Sequence, residues 1–210
     1  TPTLKKIAVS GGAPLTLCKF GGGASPGHFQ GPSWDGDQIL FAQEGKGIMR
    51  VSANGGEPEV LVAADASHMA YGPQLLPGGQ SLLFSLATEA GVGRWDTAQI
   101  VVQSLTSSER KVVVRGGGAA RYVPTGHLVY ALGGTLLAIP FDTDKLEVRG
   151  GPVPIFEGVR RAATPTISGA AQFALSTTGS LVYVPGSAAA TAPQTLALVD
   201  RAGNVQPLRL

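Results

Sequence analysis

An all-β fold is what this 210-residue sequence predicts, and three features predict it. The first is a pattern that returns four times: a turn containing Gly, then a short apolar run ending in an aromatic. It reads Gly36-Asp37-Gln38-Ile39-Leu40-Phe41, Gly79-Gln80-Ser81-Leu82-Leu83-Phe84, Gly126-His127-Leu128-Val129-Tyr130 and Gly179-Ser180-Leu181-Val182-Tyr183. The second is its period: the closing aromatics lie 43, 46 and 53 residues apart, the length of a four-stranded blade with loops of unequal size. The third is composition, with 30 Gly, 43% hydrophobic and 14% charged residues, which suits a turn-dense β protein and leaves few windows free for a helix. Together they predict a β-propeller.

The elements follow in order. Residues 1–22 form a half-blade, because Lys5-Lys6-Ile7-Ala8-Val9-Ser10-Gly11-Gly12-Ala13-Pro14-Leu15-Thr16-Leu17 matches the stretch from Ile48 to Leu61, with Gly11-Gly12 standing where Gly55-Gly56 stands. Full blades are expected at 28–63, 71–115, 119–158 and 170–210. In each, the aromatic-ended run is followed by a second apolar run: Ile48-Met49-Arg50-Val51, Ile100-Val101-Val102, Leu136-Leu137-Ala138-Ile139 and Leu196-Ala197-Leu198-Val199. Turn-forming residues come next, such as Asn54-Gly55-Gly56 and Asp142-Thr143-Asp144. Last strands at Glu59–Val62, Lys111–Val114, Val153–Phe156 and Val205–Leu208 close the units. One half-blade and four whole blades point to a segment or open arc of a larger propeller.

Composition excludes several function classes. Sixteen basic and fourteen acidic residues leave a net charge of +2, with no basic run longer than the Arg160-Arg161 pair, so nucleic acid is not an expected partner. No uninterrupted apolar stretch approaches twenty residues, so this segment is not expected to insert in a membrane as a helix. The opening Thr1-Pro2-Thr3-Leu4 leads into Lys5-Lys6 and a strand, without a signal-peptide pattern. Cys18 is the single cysteine, which rules out an internal disulfide and a cysteine-rich zinc site. It ends the apolar strand Leu15-Thr16-Leu17 and reads as a small buried hydrophobe.

Candidate chemistry is sparse. Gly23-Ala24-Ser25-Pro26-Gly27 fits the string of a hydrolase nucleophile elbow, but that device needs a helix after the Ser, and here Pro26 and a loop-and-strand segment follow. Ser25 therefore reads as a linker residue. His28 and His68 stand in comparable places ahead of Gly31-Pro32 and Gly72-Pro73, on what would be one face of the ring, yet no blade supplies a matching carboxylate for a metal. Asp142-Thr143-Asp144 lacks the Gly and closing Glu of a calcium loop and reads as a hairpin turn. Trp95 lies in the loop from Ala87 to Thr97 and is expected to be an exposed contact residue. No Walker loop, dinucleotide fingerprint or paired carboxylate is present, and no cofactor is expected.

With the repeat laid out, the chain resembles the TolB-like, WD40-like propeller region found C-terminal to bacterial serine/threonine protein kinases. The residues that carry the resemblance are Ala120-Arg121-Tyr122-Val123-Pro124-Thr125-Gly126-His127-Leu128-Val129-Tyr130-Ala131, then Gly134–Asp142, Gly179–Gly186 and Leu198–Gly203. The usual Ser-Pro-Asp-Gly turn is eroded to Trp34-Asp35-Gly36 in one blade and Leu76-Pro77-Gly78-Gly79 in the next. The resemblance implies an extracytoplasmic or periplasmic sensor module. Kinase motifs are absent from this chain.

The expected function is therefore non-enzymatic binding or sensing of a protein or small-molecule ligand. Short loops at one end of a rigid ring let several blades meet one ligand with little rearrangement. On that geometry the loops leading into the inner strands, around His28, Phe29, His68, Tyr71, Arg160 and Arg161, form the candidate binding surface. The alternative is a propeller-based lyase or hydrolase, or the gating propeller of a prolyl-peptidase-like protein; either enzyme would need His and carboxylate groups converging on the axis.

Overall fold

A computed structural model describes residues 2–20, 29–63, 68–89, 93–162, 170–186, 197–200 and 203–207. Among them every regular element is a strand. Strands β1 (Thr3–Lys6) and β2 (Leu15–Lys19) form a two-stranded sheet. The first full blade runs β3 (Phe29–Asp35), β4 (Gln38–Gln43), β5 (Gly47–Ser52) and β6 (Glu59–Ala63), each antiparallel to the one before. The second is β7 (Met69–Leu75), β8 (Ser81–Ala87), β9 (Gln99–Ser104) and β10 (Arg110–Arg115). The third comprises β11 (Gly118–Val123), β12 (His127–Leu132), β13 (Thr135–Asp142), the short β14 (Glu147–Val148) and β15 (Val153–Phe156), where β14 and β15 both pair with β13. The fourth is β16 (Phe173–Leu175), β17 (Leu181–Tyr183), β18 (Ala197–Val199) and β19 (Val205–Pro207).

Four blades after an N-terminal strand pair are the architecture the repeat predicts. Strand β7 starts at Met69, two residues ahead of the expected 71, and β11 at Gly118. Strand β14 is an addition: the Asp142 turn folds back on β13 before the outer strand forms. The N-terminal pair repeats the outer half of blade one in register. Thr3↔Lys19, Leu4↔Cys18, Lys5↔Thr16 and Lys6↔Leu15 become Gly47↔Ala63, Ile48↔Val62, Met49↔Val60 and Arg50↔Glu59, and both pairs carry the bulge at the same step.

Blades one to three are packed on both faces, which is why their middle strands read as apolar runs instead of alternating. Within β4, Leu40 packs with Leu82, Phe84 and Val101 of blade two, while its neighbours Ile39 and Phe41 pack with Leu17 and Cys18 of the N-terminal pair. Blade two repeats the division: Leu83, Ile100 and Val102 meet Leu128, Tyr130 and Phe141 of blade three. A further cluster joins Val129, Leu136 and Val159 to Ala171, Tyr183 and Val199 of blade four. The four signature aromatics, Phe41, Phe84, Tyr130 and Tyr183, are all buried in these seams.

The first strand of each of the first three full blades carries a bulge at one place. The register breaks between Gln30 and Ser33, between Tyr71 and Gln74, and between Gly118 and Arg121. Each break contains a residue in the left-handed region: Gly31 at φ 55°, Gly72 at 62° and Ala119 at 55°. Successive bulges touch. A Cβ built on Gly31 would lie 2.5 Å from the Gly72 backbone nitrogen. One on Gly72 would lie 2.8 Å from Nη1 of Arg121. The first strands of blades one and two thus meet backbone to backbone, and those of blades two and three meet through the Arg121 side chain laid on Gly72.

Candidate functional site

Beyond the bulges, the ends of the four first strands surround a cavity of about 580 Å³. Pro32, Ser33, Trp34 and Asp35 come from β3, Gln74 and Leu75 from β7, Arg121 and Tyr122 from β11, and Phe173 to Thr177 from β16 and its turn. Because every full blade contributes, this is the axial channel. Ser33, Gln74 and Arg121 are equivalent positions, each the first paired residue after its bulge. One strand position therefore supplies three different polar groups to one wall.

Each of those groups is held differently. Gln74 spans to the next blade, donating from Nε2 to the Tyr122 carbonyl at 3.1 Å and accepting the Tyr122 N–H on Oε1 at 2.8 Å. Arg121 donates from Nη1 to the carbonyls of Gly72 at 2.8 Å and Ala120 at 3.0 Å. Burial holds its pKa below the ordinary guanidinium value, with Tyr71 opposing that shift, yet an arginine so placed stays charged at any physiological pH. Among the described residues no carboxylate pairs with it. The Ser33 hydroxyl is buried with no hydrogen-bond partner in the protein. At the mouth, Trp34 is 59% exposed, its indole nitrogen donating to the Gly36 carbonyl at 2.9 Å.

Of the residues singled out from the sequence, the described ones lie at the opposite ends of these strands, in the seams or in the crossover after blade three. His28, like Gly23 to Gly27 of the elbow-like string, lies outside the described residues. Phe29 stacks with Phe20 at 4.9 Å and Phe41 at 4.7 Å, a packing role. His68 lines a narrow cleft between blades one and two with Gln30, Gln43, Glu44 and Arg110. Tyr71 is buried edge-on to Trp95 at 5.7 Å. Arg160 is tied by its backbone to Val184 and Gln172. Arg161 reaches Asp96, 2.7 Å and 3.0 Å from its two carboxylate oxygens.

Trp95 corrects an expectation. It is 1% exposed and fills the space among Tyr71, Ala98, Ala119 and Val129, so it is a wedge in the wall between blades two and three and not a surface contact. Trp95 turns inward because the small residues Ala98, Gly118 and Ala119 leave room for the indole. Sequence reading also passed over Arg121, although its signal was present: a lone charge within the otherwise apolar or small run of β11. Cys18 is buried as expected, and burial raises its thiol pKa.

Among the described residues no group of three or more His, Cys, Asp or Glu side chains converges as a metal site would require, and no helix is long and apolar enough to cross a membrane. No family model matches the chain, and no curated protein does. Solved structures do. The calcium-binding protein regucalcin from Agrobacterium tumefaciens superposes with a TM-score of 0.59 at 10% identity, over 97% of this chain and 65% of that one. An oligogalacturonate lyase in complex with manganese gives 0.53 at 10% identity, over 93% and 53%. A puromycin-hydrolyzing peptidase from Mycobacterium tuberculosis gives 0.56 at 11% identity, over 94% and 42%. This chain spans less than two thirds of each of those structures, and at such identities the likeness is one of fold. The strand order, the seams between blades and the superpositions agree that the chain is an all-β protein with the β-propeller fold.

Proposed function

We propose that this chain is a non-enzymatic binding module whose axial cavity receives a small ligand or a protruding element of a partner protein. The observation that carries the reading is the lining: four first strands converge on one cavity, and among the described residues its ionisable side chains are Asp35, Arg121 and Tyr122. A histidine or a carboxylate pair poised for acid–base chemistry is not among them, whereas a fixed cation, an amide and a hydroxyl on rigid strands suit recognition. The sequence resemblance to kinase-associated TolB-like propellers extends the reading to a sensor segment of a bacterial receptor serine/threonine kinase or a TolB-like protein.

The test is a thermal-shift screen of metabolite-sized compounds against the protein and an Ala174→Trp variant, since exposed Ala174 lines the cavity and an indole there would fill it. Ligands that stabilise the parent and not the variant support the reading. Hits that persist in the variant place binding elsewhere, and turnover of any hit or of a hydrolase and lyase substrate panel overturns the non-enzymatic assignment. For the sensor extension, the full reading frame containing this chain decides: a kinase domain supports it, and a frame without one removes the kinase context.

A further inference from the structure

We infer that the axial cavity binds a monocarboxylate, taken by the side edge of the Arg121 guanidinium. This rests on the binding reading above and names the ligand class of that same cavity.

The argument starts from the hydrogen-bond inventory of the guanidinium. It offers five N–H donors in a rigid plane. Nη1 is committed to the Gly72 and Ala120 carbonyls, which fix the plane against the bulge of blade two. Among the described residues nothing accepts from Nε or Nη2. Those two nitrogens form the parallel two-donor edge whose spacing matches the oxygens of a carboxylate. A cation taken partly out of water and left unpaired is costly, so a counter-charge brought by a ligand is strongly favoured.

Two other features sharpen the class. Ser33 occupies the position on β3 equivalent to Arg121 on β11 and lines the same cavity, but its hydroxyl is buried beneath that wall, so Arg121 is the polar group the ligand meets. Asp35, exposed at the mouth, puts a negative charge near the opening and disfavours ligands with several negative charges. One partly buried cation is balanced by one carboxylate. Trp34 beside Asp35 offers a flat apolar surface to the remainder of the ligand and reports its arrival.

The experiment is calorimetric titration of the whole chain with benzoate, its neutral isostere benzamide, and citrate, with Trp34 emission followed in parallel. Benzoate is expected to bind at least tenfold more tightly than benzamide and citrate and to perturb Trp34; Arg121→Gln is expected to weaken benzoate roughly 10- to 100-fold while leaving benzamide unchanged. Because Arg121→Gln also loses two bonds to carbonyls, Arg121→Lys is measured beside it. Lysine keeps the charge without the planar edge and is expected to retain only part of the affinity. Equal binding of benzoate and benzamide, with Trp34 perturbed by both, overturns the carboxylate inference and leaves the cavity reading standing. Benzoate binding that survives in Arg121→Gln, or that leaves Trp34 silent, overturns the placement. No binding of benzoate overturns the inference, while the thermal-shift screen still judges the cavity reading independently.

Discussion

Asp96 and Arg161 are 65 residues apart in sequence and joined by an ion pair at 2.7 Å. Asp96 sits in the loop between β8 and β9, while Arg161 lies in the crossover from blade three to blade four. The same Asp96 accepts the Gly133 N–H at 3.3 Å, and its carbonyl accepts that of Gly117 at 3.0 Å. One residue of blade two thereby ties down three separate stretches of the chain. Since the pair is partly exposed, its coupling is expected to be roughly 0.5–1 kcal/mol and to shrink with added salt. A double-mutant cycle of Asp96→Asn and Arg161→Met checks this; coupling near zero at low salt would show the contact to be incidental.

Close approach of Gly31 to Gly72 makes a larger demand. Alanine at position 31 would strain a left-handed residue and drive its methyl into the backbone of the next blade. The expected loss is about 2–4 kcal/mol, with a fall in melting temperature on the order of 10 °C. Gly151→Ala is the control, because nothing lies within 4 Å of a Cβ there and its φ is ordinary. If thermal melts show equal effects at the two positions, the contact between bulges does not set the blade spacing.

The two tryptophans should behave as opposites. Trp95 is 1% exposed and Trp34 is 59% exposed. In Trp34→Phe the remaining emission is expected to be blue-shifted and resistant to acrylamide, and in Trp95→Phe red-shifted and readily quenched. Trp95→Ala is expected to cost about 3–5 kcal/mol through the cavity it leaves. Trp95→Phe keeps much of the bulk and removes an indole N–H that is buried without a partner, so its cost should be markedly smaller. Denaturant titration of the two variants tests that ordering.

Much of this architecture was legible because blade packing is a local, repeated demand. Phe41, Phe84, Tyr130 and Tyr183 had to recur, since each fills the corresponding seam of its own blade, and the Gly55-Gly56 turn had to recur as Gly11-Gly12 for the N-terminal pair to keep its register. The cavity lining was not legible in that way. Ser33, Gln74 and Arg121 share a structural position but no side-chain chemistry, so a search for repeats passes over them. Their equivalence depends on the bulges at Gly31, Gly72 and Ala119, and the last hides its left-handed backbone behind an ordinary alanine. Trp95 was misjudged for a related reason: whether a Trp in a long loop points in or out is decided by the small residues of another blade.

Acid should reveal the turn after β13. The Asp142 carboxylate accepts the N–H groups of Lys145 and Asp144, each at 3.0 Å, and pairs with Arg149. Those hydrogen bonds, led by that from Lys145, hold its pKa below the usual carboxylate value, and Arg149 adds to the effect. A carboxylate whose pKa is depressed on folding stabilises the native state fully above its unfolded pKa, and that contribution fades as pH falls through the folded pKa. Protonation removes the charge that the two N–H groups and Arg149 favour, so the stability difference between the parent and Asp142→Ala should be largest at neutral pH and narrow in strong acid. Glu147, held low by Lys111 on β10, gives a second instance in the same corner. Chemical denaturation of parent and variant across a pH series measures the difference directly; a gap that stays constant into strong acid would mean that Asp142 acts through packing and not through its charge.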